Sequence, residues 1–303
     1  MRLLKSICLV VLFSLVFGFT SPAPAQNVTA TLQGQAFDQS GGVIPNAKVT
    51  AVNKATGVTR TTLTSSSGEY DLPAMPIGDY TVTVEAAGFK TLAQDVTLQV
   101  GQAATLNFNL AVGEASEKVV VQATSEVTEP TRTQVSTVIT QQQIQNLPVN
   151  GREFIDFALL SPGVQIGDTT SGSTDVIVEP VTKLSFAGQN IHFNFIAVDG
   201  ADDISTASGI QRGTPPQDSV QEFRVINTDY TTEFGRATAG IVNIITRSGT
   251  NAFHGSLYEY FRNNVMDAKS ILSAPGFNIL RQNQFGLSVG GPIKKDKTFF
   301  FAN

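Results

Sequence analysis

The chain has 303 residues and a formal net charge of −5, with 41% hydrophobic residues, 15% charged residues and no tryptophan. The length accommodates two or three domains of ordinary size, and the composition argues against disorder throughout. The acidic balance argues against nucleic acid as a partner. The single cysteine, Cys8, lies in the first apolar stretch, so no disulfide or thiolate metal site is expected after it.

Residues 1–25 have the pattern of an export signal. Arg2 and Lys5 form a positive start, Ile7–Phe19 is apolar, and an Ala-Pro-Ala sequence ends at Ala25. We expect a signal peptide that is cleaved after Ala25, because the apolar run is shorter than the ~20 residues that span a bilayer. A retained membrane anchor is the alternative.

Residues 26–110 alternate strand patterns with turn clusters, as in a small β-sandwich. In Thr81–Val84 threonine alternates with valine, so that the valines can face a core while the threonines face water. Glycines such as those of Gly41-Gly42 supply the turns. The expected strands are Thr29–Phe37, Lys48–Asn53, Thr59–Thr64, Gly78–Ala86, Phe89–Leu98 and Ala103–Leu110.

Four short motifs in this region belong together. They are GQAFD at Gly34–Asp38, PNAKV at Pro45–Val49, GEY at Gly68–Tyr70 and GDY at Gly78–Tyr80. Together they resemble the carboxypeptidase regulatory-like, or carbohydrate-binding-like, family, which implies a transthyretin-like sandwich and favours a carbohydrate or polymer-derived ligand. Protease chemistry is not implied, because the chain has no H-E-x-x-H set and its only histidines are His192 and His254.

Residues 111–130 are mixed and partly charged, and we predict a linker. The linker contains a run rich in β-branched residues, Lys118–Val121, between flexible flanks. Such a run can pair with an exposed sheet edge of a partner, since backbone hydrogen bonds supply the affinity. The alternative is a strand of the neighbouring domain. The candidate contact residues are Glu117, Lys118, Val119, Val120, Val121, Gln122 and Ala123.

Residues 131–250 have an α+β pattern. We expect Thr140 to cap a short helix over Gln141–Asn146 that Pro148 ends, and a second helix over Arg152–Leu160. The expected strands are Leu184–Ala187, Phe193–Val198, Phe223–Ile226 and Ile241–Thr246.

Five motifs follow one another in this region. They are LPVNGR at Leu147–Arg152, FIAVDG at Phe195–Gly200, SVQEF at Ser219–Phe223, EFGR at Glu233–Arg236 and GIVNIIT at Gly240–Thr246. In this order they resemble the plug domain of TonB-dependent outer-membrane receptors, in the subgroup that also carries a carboxypeptidase regulatory-like domain. The positions that carry the resemblance are Leu147, Pro148, Gly151, Arg152, Asp199, Gly200, Gly235, Arg236 and Gly240.

The resemblance implies a receptor that binds its ligand from outside, with Gly167–Asp175 and Ala201–Arg212 as candidate ligand-facing loops. It also places the TonB box, the peptide that a TonB-type energy transducer in the periplasm grips, at Glu117–Ala123. The family handles iron chelates, cobalamin, oligosaccharides and other large or scarce cargo, and no residue here identifies the cargo.

No catalytic or metal site is predicted. The chain lacks a nucleophile elbow, a phosphate loop and a metal-ligand spacing, so we expect no enzymatic activity, no cofactor and no metal. Asp199, Asp202 and Asp203 fit no calcium-loop template, and we expect a solvated turn there. Four charged residues have two possible roles: they form charge-assisted hydrogen bonds between plug and barrel wall, or they are ordinary surface charges. These residues are Glu222, Glu233, Arg236 and Arg247.

Residues 251–303 carry three candidate membrane strands. In Gln284–Ile293 large apolar residues alternate with small or polar ones, which is the pattern of a transmembrane barrel strand. The other two are Phe253–Arg262 and Thr298–Ala302. Three strands cannot close a barrel, so we expect the gene or its record to be truncated, with several hundred residues belonging after Asn303.

The predicted fold class is mainly β: a transthyretin-like sandwich, an α+β plug and the first strands of an incomplete outer-membrane barrel. The predicted function is that of the N-terminal part of a receptor for active uptake of a large or scarce ligand. Its expected partners are a TonB-type transducer, outer-membrane lipid and an extracellular ligand. Two alternatives stay open: an exported carbohydrate-binding protein without transport activity, and an exported hydrolase whose catalytic set lies beyond this stretch.

Overall fold

In the computed structural model, strands dominate the chain. The structure describes residues 28–113, 118–121, 129–130, 132–167, 184–205, 211–230, 234–235, 237–266 and 281–303. The predicted signal peptide, with its cleavage after Ala25, lies outside the described residues. Within the described ranges, no helix has both the length and the apolar character needed to cross a membrane.

The N-terminal domain is a β-sandwich, as predicted. Its strands are β1 Thr29–Asp38, β2 Lys48–Asn53, β3 Thr59–Leu63, β4 Glu69–Pro76, β5 Gly78–Glu85, β6 Thr91–Leu98, β7 Ala103–Thr105, β8 Phe108–Leu110 and β9 Lys118–Val121. One sheet has the order β4-β1-β7, with β8 also paired to β1, and the other has the order β3-β2-β5-β6-β9. Val82 and Val84 are buried between the sheets, and burial of each valine contributes roughly 1.5 to 3 kcal/mol.

Two elements of this domain differ from the prediction. β4 was not expected, because Pro73 and Pro76 weaken a strand pattern. The single strand expected over Ala103–Leu110 is divided into β7 and β8. The division is caused by the side chain of Asn107, whose Oδ1 atom accepts a hydrogen bond from the backbone N of Gln35 at 2.9 Å.

The central domain is an α+β unit. Its strands are β10 Val135–Ile139, β11 Val164–Ile166, β12 Leu184–Phe186, β13 Phe195–Val198, β14 Ala201–Asp202, β15 Val220–Thr228 and β16 Ile241–Thr246. Helix α1 spans Gln141–Asn146, and 3₁₀ turns span Asn150–Arg152, Phe154–Leu160, Ile191–Phe193 and Gln217–Ser219. The main sheet has the order β10-β15-β16-β13-β14, and β11 pairs with β12.

The predicted helix start at Thr140 is confirmed, whereas the second predicted helix is wrong. Thr140 and Gln143 form a capping box, which supplies partners for two backbone N–H groups at the start of α1. The segment expected to be helical over Arg152–Leu160 is a 3₁₀ turn that begins at Phe154. Gly151 and Arg152 have positive φ angles, 69° and 61°, so a continuous right-handed helix cannot run through them and the short turn at Asn150–Arg152 is interrupted.

The two faces of the main central sheet differ. One face carries Phe223, Val225 and Val242 into the main core of this domain. The opposite face carries a smaller apolar cluster that includes Ile226 and Ile241. The same face also carries buried polar residues, namely Glu222, Arg224 and Asn243. A further part of the protein must therefore cover this second face.

The C-terminal sheet is an antiparallel meander of β17 His254–Asn263, β18 Arg281–Lys294 and β19 Thr298–Ala302. The predicted alternation is confirmed: Phe285 and Leu287 are 78% and 58% exposed, whereas Ser288 is 2% exposed. One face of the sheet is therefore apolar and open, and the other packs against the protein.

Candidate functional site

Arg152 lies where the central domain meets the C-terminal sheet. Its guanidinium forms an ion pair with Asp218 and lies 4.5 and 4.2 Å from the ring centroids of Tyr258 and Tyr260. Both tyrosines come from the inner face of β17, and the Arg152 side chain is only 13% exposed. Cation–π contacts of this kind contribute about 0.5 to 2 kcal/mol each.

Arg247 makes a second contact with the same sheet. Its guanidinium lies 5.7 Å from the ring centroid of Phe301 in β19, and it donates to the backbone carbonyl of Asp218 at 3.3 Å. Asp218 therefore connects both arginines. Of the charges considered for a contact with the barrel wall, Arg247 contacts the C-terminal sheet, whereas Glu233 and Arg236 lie outside the described residues.

Asp199 and Gly200 form the tight turn between β13 and β14. Both have positive φ angles, 49° and 81°, as a two-residue hairpin turn requires. The Asp199 carboxylate accepts hydrogen bonds from the backbone N and the Oγ1 atom of Thr246, at 2.9 and 2.6 Å. This motif therefore ties the β13–β14 turn to the end of β16.

The neighbouring carboxylates also accept hydrogen bonds from groups of the same chain. Asp202 accepts from the backbone N of Ile204 at 2.8 Å, and Asp203 accepts from Nε2 of Gln211 at 3.1 Å. Over the described ranges, no group of three or more acidic, histidine or cysteine side chains is placed to hold a metal ion.

The other predicted motif positions have separate structural roles. Leu147 is the C-cap of α1, and its backbone N donates to the carbonyl of Gln143 at 3.0 Å. Pro148 follows the cap. A Cβ atom on Gly240 would lie 2.1 Å from the Phe186 ring, whereas one on Gly235 would meet no atom of the described residues within 4 Å. Gly240 is therefore required by packing.

Glu222 and Arg224 contact the N-terminal domain. The Glu222 carboxylate accepts from the backbone N of Val100 at 2.5 Å. Arg224 donates through Nη1 to the carbonyl of Val100 at 2.9 Å and to that of Gly101, and through Nε to Oγ of Ser136 at 2.8 Å. A contact of Glu222 with the barrel wall was considered because of its charge. The structure shows instead that its partner is the N-terminal domain.

The burial of these two charges changes how readily they ionise. Glu222 and Arg224 are 8% and 4% exposed. Burial raises the pKa of Glu222 to about 7, although the Val100 amide and the charge of Arg224 oppose the rise. Burial also lowers the pKa of Arg224. The contact therefore joins two desolvated ionisable groups to the backbone of one turn.

A polar cavity lies beside this contact. Its volume is about 530 Å³. The lining residues are Gln99, Gln102, Glu129, Arg132, Gln134, Val138 and Arg224. Arg132 is paired with Glu129 through an N–O contact of 2.8 Å, so its charge is balanced within the wall.

The N-terminal domain has a second contact with the rest of the protein. The backbone N of Asn251 donates to the carbonyl of Ala55 at 2.9 Å. The Asn251 side chain exchanges two hydrogen bonds with Asp296, in the turn between β18 and β19, at 2.7 and 2.9 Å. The turn between β2 and β3 is thereby placed against the end of the C-terminal sheet.

The candidate TonB box lies partly in a described strand. Lys118–Val121 forms β9, which pairs in parallel with β6 from Thr91 to Gln94. Glu117, Gln122 and Ala123 lie outside the described residues. The backbone thus occupies a sheet edge of the N-terminal domain, and binding of a transducer stays a prediction.

The candidate ligand-facing loops are described only in part. Gly167 is the one residue of Gly167–Asp175 within the described ranges. In Ala201–Arg212, a bridge joins Ile204 to Gln211, and residues 206–210 lie outside the described part.

Sequence reasoning missed the partners of the motif arginine. Asp218 is 66 positions from Arg152, and Tyr258 and Tyr260 belong to another sheet. The available signal was the presence of aromatic residues on both faces of β17. The structure explains it, because Tyr258 and Tyr260 face Arg152 while Phe261 is 58% exposed on the other face.

Comparisons with known proteins agree with this architecture. The model of the carboxypeptidase regulatory-like domain matches residues 31–111, and that of an outer membrane beta barrel domain matches residues 245–303. The TonB-dependent transporter Oar of Myxococcus xanthus is 31% identical over 320 residues, which cover 99% of this chain and 28% of Oar. The chain belongs to the TonB-dependent outer-membrane receptors. Membership places this receptor in the cell outer membrane.

A second relative is "Probable TonB-dependent siderophore receptor PirA" of Acinetobacter baumannii, 26% identical over 173 residues, or 52% of this chain and 21% of PirA. The crystal structure of PirA matches with a TM-score of 0.41 and 24% identity, covering 58% of this chain and 24% of that chain. This receptor chain therefore spans less than a third of the length of either curated relative. Both relatives are named as a transporter or receptor, and neither as an enzyme.

Proposed function

We propose that this protein takes up a ligand across the outer membrane, with energy delivered by a TonB-type transducer in the periplasm. The observation that carries the proposal is the 31% identity to the transporter Oar over 99% of this chain. In this proposal, residues 26–110 are the accessory sandwich, 111–130 the linker with the TonB box, 131–250 the plug and 251–303 the start of the barrel. No catalytic step is part of the function.

The contacts of the C-terminal sheet support a plug inside a barrel. Transmembrane barrel strands present apolar residues to lipid and small or polar residues to the interior. Leu257, Phe285 and Leu287 form the open apolar face. Arg152 and Arg247 of the central domain contact the opposite face through aromatic rings. The central domain therefore lies on the side that would be the barrel interior.

The plug contacts are suited to release. Among the described residues, they consist of polar and cation–π contacts around Arg152, Arg247 and Asp218. A ligand that binds the outer loops would act on this plug from one end. The transducer would act from the other end, by pairing with the strand at Glu117–Ala123 through backbone hydrogen bonds.

A carbohydrate ligand, expected from the N-terminal domain, finds no support in the relatives. The ligand class named for one of them is a siderophore. We propose a ligand too large or too scarce to enter through porins, and ferric siderophores are the first class to test. The barrel match over residues 245–303 favours the receptor over an exported carbohydrate-binding protein without transport.

The test compares accumulation of radiolabelled ferric siderophores and labelled oligosaccharides in four strains: parent, receptor deletion, transducer deletion and both deletions. We expect one ligand class to be accumulated by the parent only. Equal loss in both single deletions, with no further loss in the double deletion, supports transducer-driven uptake. Uptake that requires the receptor but not the transducer would refute the energy source. Deletion of the receptor without effect on either class would refute the ligand proposal.

A further inference from the structure

The second face of the central sheet is built to hold one turn of the N-terminal domain. Glu222 and Arg224 project from β15 on this face, and both are buried. Their partners across the boundary belong to the turn between β6 and β7, at Val100 and Gly101. Burying a carboxylate and a guanidinium is unfavourable unless both are hydrogen-bonded, so the turn is what permits their burial.

The two side chains recognise the backbone of this turn. The acid accepts from the N–H of Val100, and the base donates to the carbonyls of Val100 and Gly101. Gly101 fits this arrangement in two ways. It has a φ angle of 62°, and a Cβ atom there would lie 2.8 Å from Nη1 of Arg224. The turn and the two charges are therefore matched in shape as well as in hydrogen-bonding groups.

The contact between Asn251 and Ala55 lies at another turn of the same domain. The N-terminal domain therefore contacts the central domain through one turn and the end of the C-terminal sheet, near Asp296, through another. Both contacts are polar and local. Replacing buried ion pairs by apolar residues often stabilises proteins, so a contact built from buried charges is a weak way to fix a domain permanently. It suits a contact that opens.

We propose that Glu222 and Arg224 form a releasable latch, which holds the N-terminal domain as a cover over the second face of the central sheet. The occupant of this face is thus a segment of the same chain, the β6–β7 turn. The latch turn directly follows β6, the strand that pairs with β9. A pull on β9 is therefore transmitted through β6 to the contact of Val100 and Gly101 with Glu222 and Arg224, which we call loading of the latch. This last step alone rests on the proposed function.

The test is hydrogen exchange of the full-length protein in detergent, with the backbone amides of Val100 and Asn251 as reporters of the two contacts. Arg224→Ala and Glu222→Ala should accelerate exchange at both amides by at least roughly tenfold, because the cover leaves as a unit. The amides of Val82 and Val84, in the sandwich core, should keep their protection. Glu222→Gln retains an acceptor for Val100 and should keep both reporters protected.

A variant on the other side of the contact separates the latch from damage to β15. Gly101→Ala should accelerate exchange at Val100 and Asn251 as Arg224→Ala does, although β15 is untouched. Glu85→Gln, which changes an exposed carboxylate of the same domain, is the matched control and should change neither amide. Unchanged exchange at Asn251 in the Gly101→Ala variant would overturn the cover, whatever the β15 variants show.

The loading step has its own readout. Adding the purified periplasmic domain of the transducer should accelerate exchange at Val100 in the parent protein and leave Val82 unchanged. If the transducer domain binds but exchange at Val100 is not accelerated, the loading step is refuted. If the contact opens in the Gly101→Ala variant but uptake does not depend on the transducer, the latch is supported and the proposed function is refuted.

Discussion

Glu222 is a carboxyl group that folding places between a backbone amide and a buried arginine. The charged or titratable neighbours are Arg224 and, beside it, Arg132 and Glu129, while the N-terminal turn contributes backbone groups. The pKa of Glu222 is raised from 4.5 to about 7. The folded state therefore holds this proton more tightly than the unfolded state. The contribution of Glu222 to the free energy of unfolding falls as the pH rises from about 4.5 to about 7.

We predict that opening of the latch becomes easier between about pH 5 and pH 7, by on the order of 3 kcal/mol for the full shift. Glu222→Gln has no charge to desolvate, so its opening free energy should be flat over this range. The measurement is exchange at Val100, corrected for the intrinsic effect of pH. A parent and a Glu222→Gln variant with the same slope would contradict the assignment.

Gly240 and Gly235 form a matched pair within the same motif region. A Cβ atom at Gly240 would collide with the Phe186 ring at 2.1 Å, whereas one at Gly235 would contact none of the residues that the structure describes. We predict that Gly240→Ala destabilises the central domain by about 1 to 3 kcal/mol, as overpacked cores do. Gly235→Ala should change stability by less than about 0.5 kcal/mol. Urea unfolding of both variants checks this, and equal midpoints would contradict it.

At the scale of elements, Arg152 fixes the central domain to β17. The guanidinium forms an ion pair with Asp218, and its planar surface stacks on the rings of Tyr258 and Tyr260. We predict that Arg152→Ala weakens this contact by about 1 to 3 kcal/mol and makes cells sensitive to large antibiotics that the closed receptor excludes. Arg152→Lys should have an intermediate effect, because an ammonium lacks the flat surface that stacks on the rings.

The control for this prediction is Arg60→Ala, which removes an exposed arginine of the N-terminal domain. All variants are compared at equal receptor levels in the outer membrane. Sensitivity of the Arg152→Ala strain equal to that of the Arg60→Ala strain would show that the contact does not hold the plug.

The elements that could be predicted are those with a strong local pattern. β2, β16 and β19 have the predicted bounds, because period-two alternation or a continuous apolar run marks each of them. β4 was missed because it contains two prolines and Ala74 at a φ angle of 52°. The second predicted helix failed at Arg152, where a positive φ angle overrides an apolar pattern that suits a helix.

The candidate site was predictable only in part. Motif order singled out Arg152 and Asp199, and Glu222 was considered only for a contact with the barrel wall. Arg224, which lies on the same face of β15, was not singled out. Nothing in a local pattern shows what covers that face. The partners, Val100 and its neighbour Gly101, lie more than 120 positions earlier in the chain. Long-range packing alone determines this contact, so it could not be inferred from spacing.

At the scale of the whole molecule, three parts are joined by small polar contacts. The N-terminal domain touches the central domain through Val100 and the C-terminal sheet through Ala55 and Asn251. The central domain touches the C-terminal sheet through Arg152 and Arg247. Each part retains its own buried core or apolar face, so each contact can open without unfolding a domain. Such a construction suits a receptor whose plug and cover move.

The most direct measurement of TonB dependence is cross-linking of β9 to the host transducer in intact cells. Within residues 1–303 the single cysteine, Cys8, lies in the expected signal peptide, so Val120→Cys adds a thiol to the mature part of this stretch. Thr61→Cys, on an exposed edge strand of the same domain, is the control. We predict a covalent adduct between Val120→Cys and a transducer that carries a cysteine in its box-binding strand, and none with Thr61→Cys. Equal adducts at both positions, or none at any position of Lys118–Val121, would contradict the account.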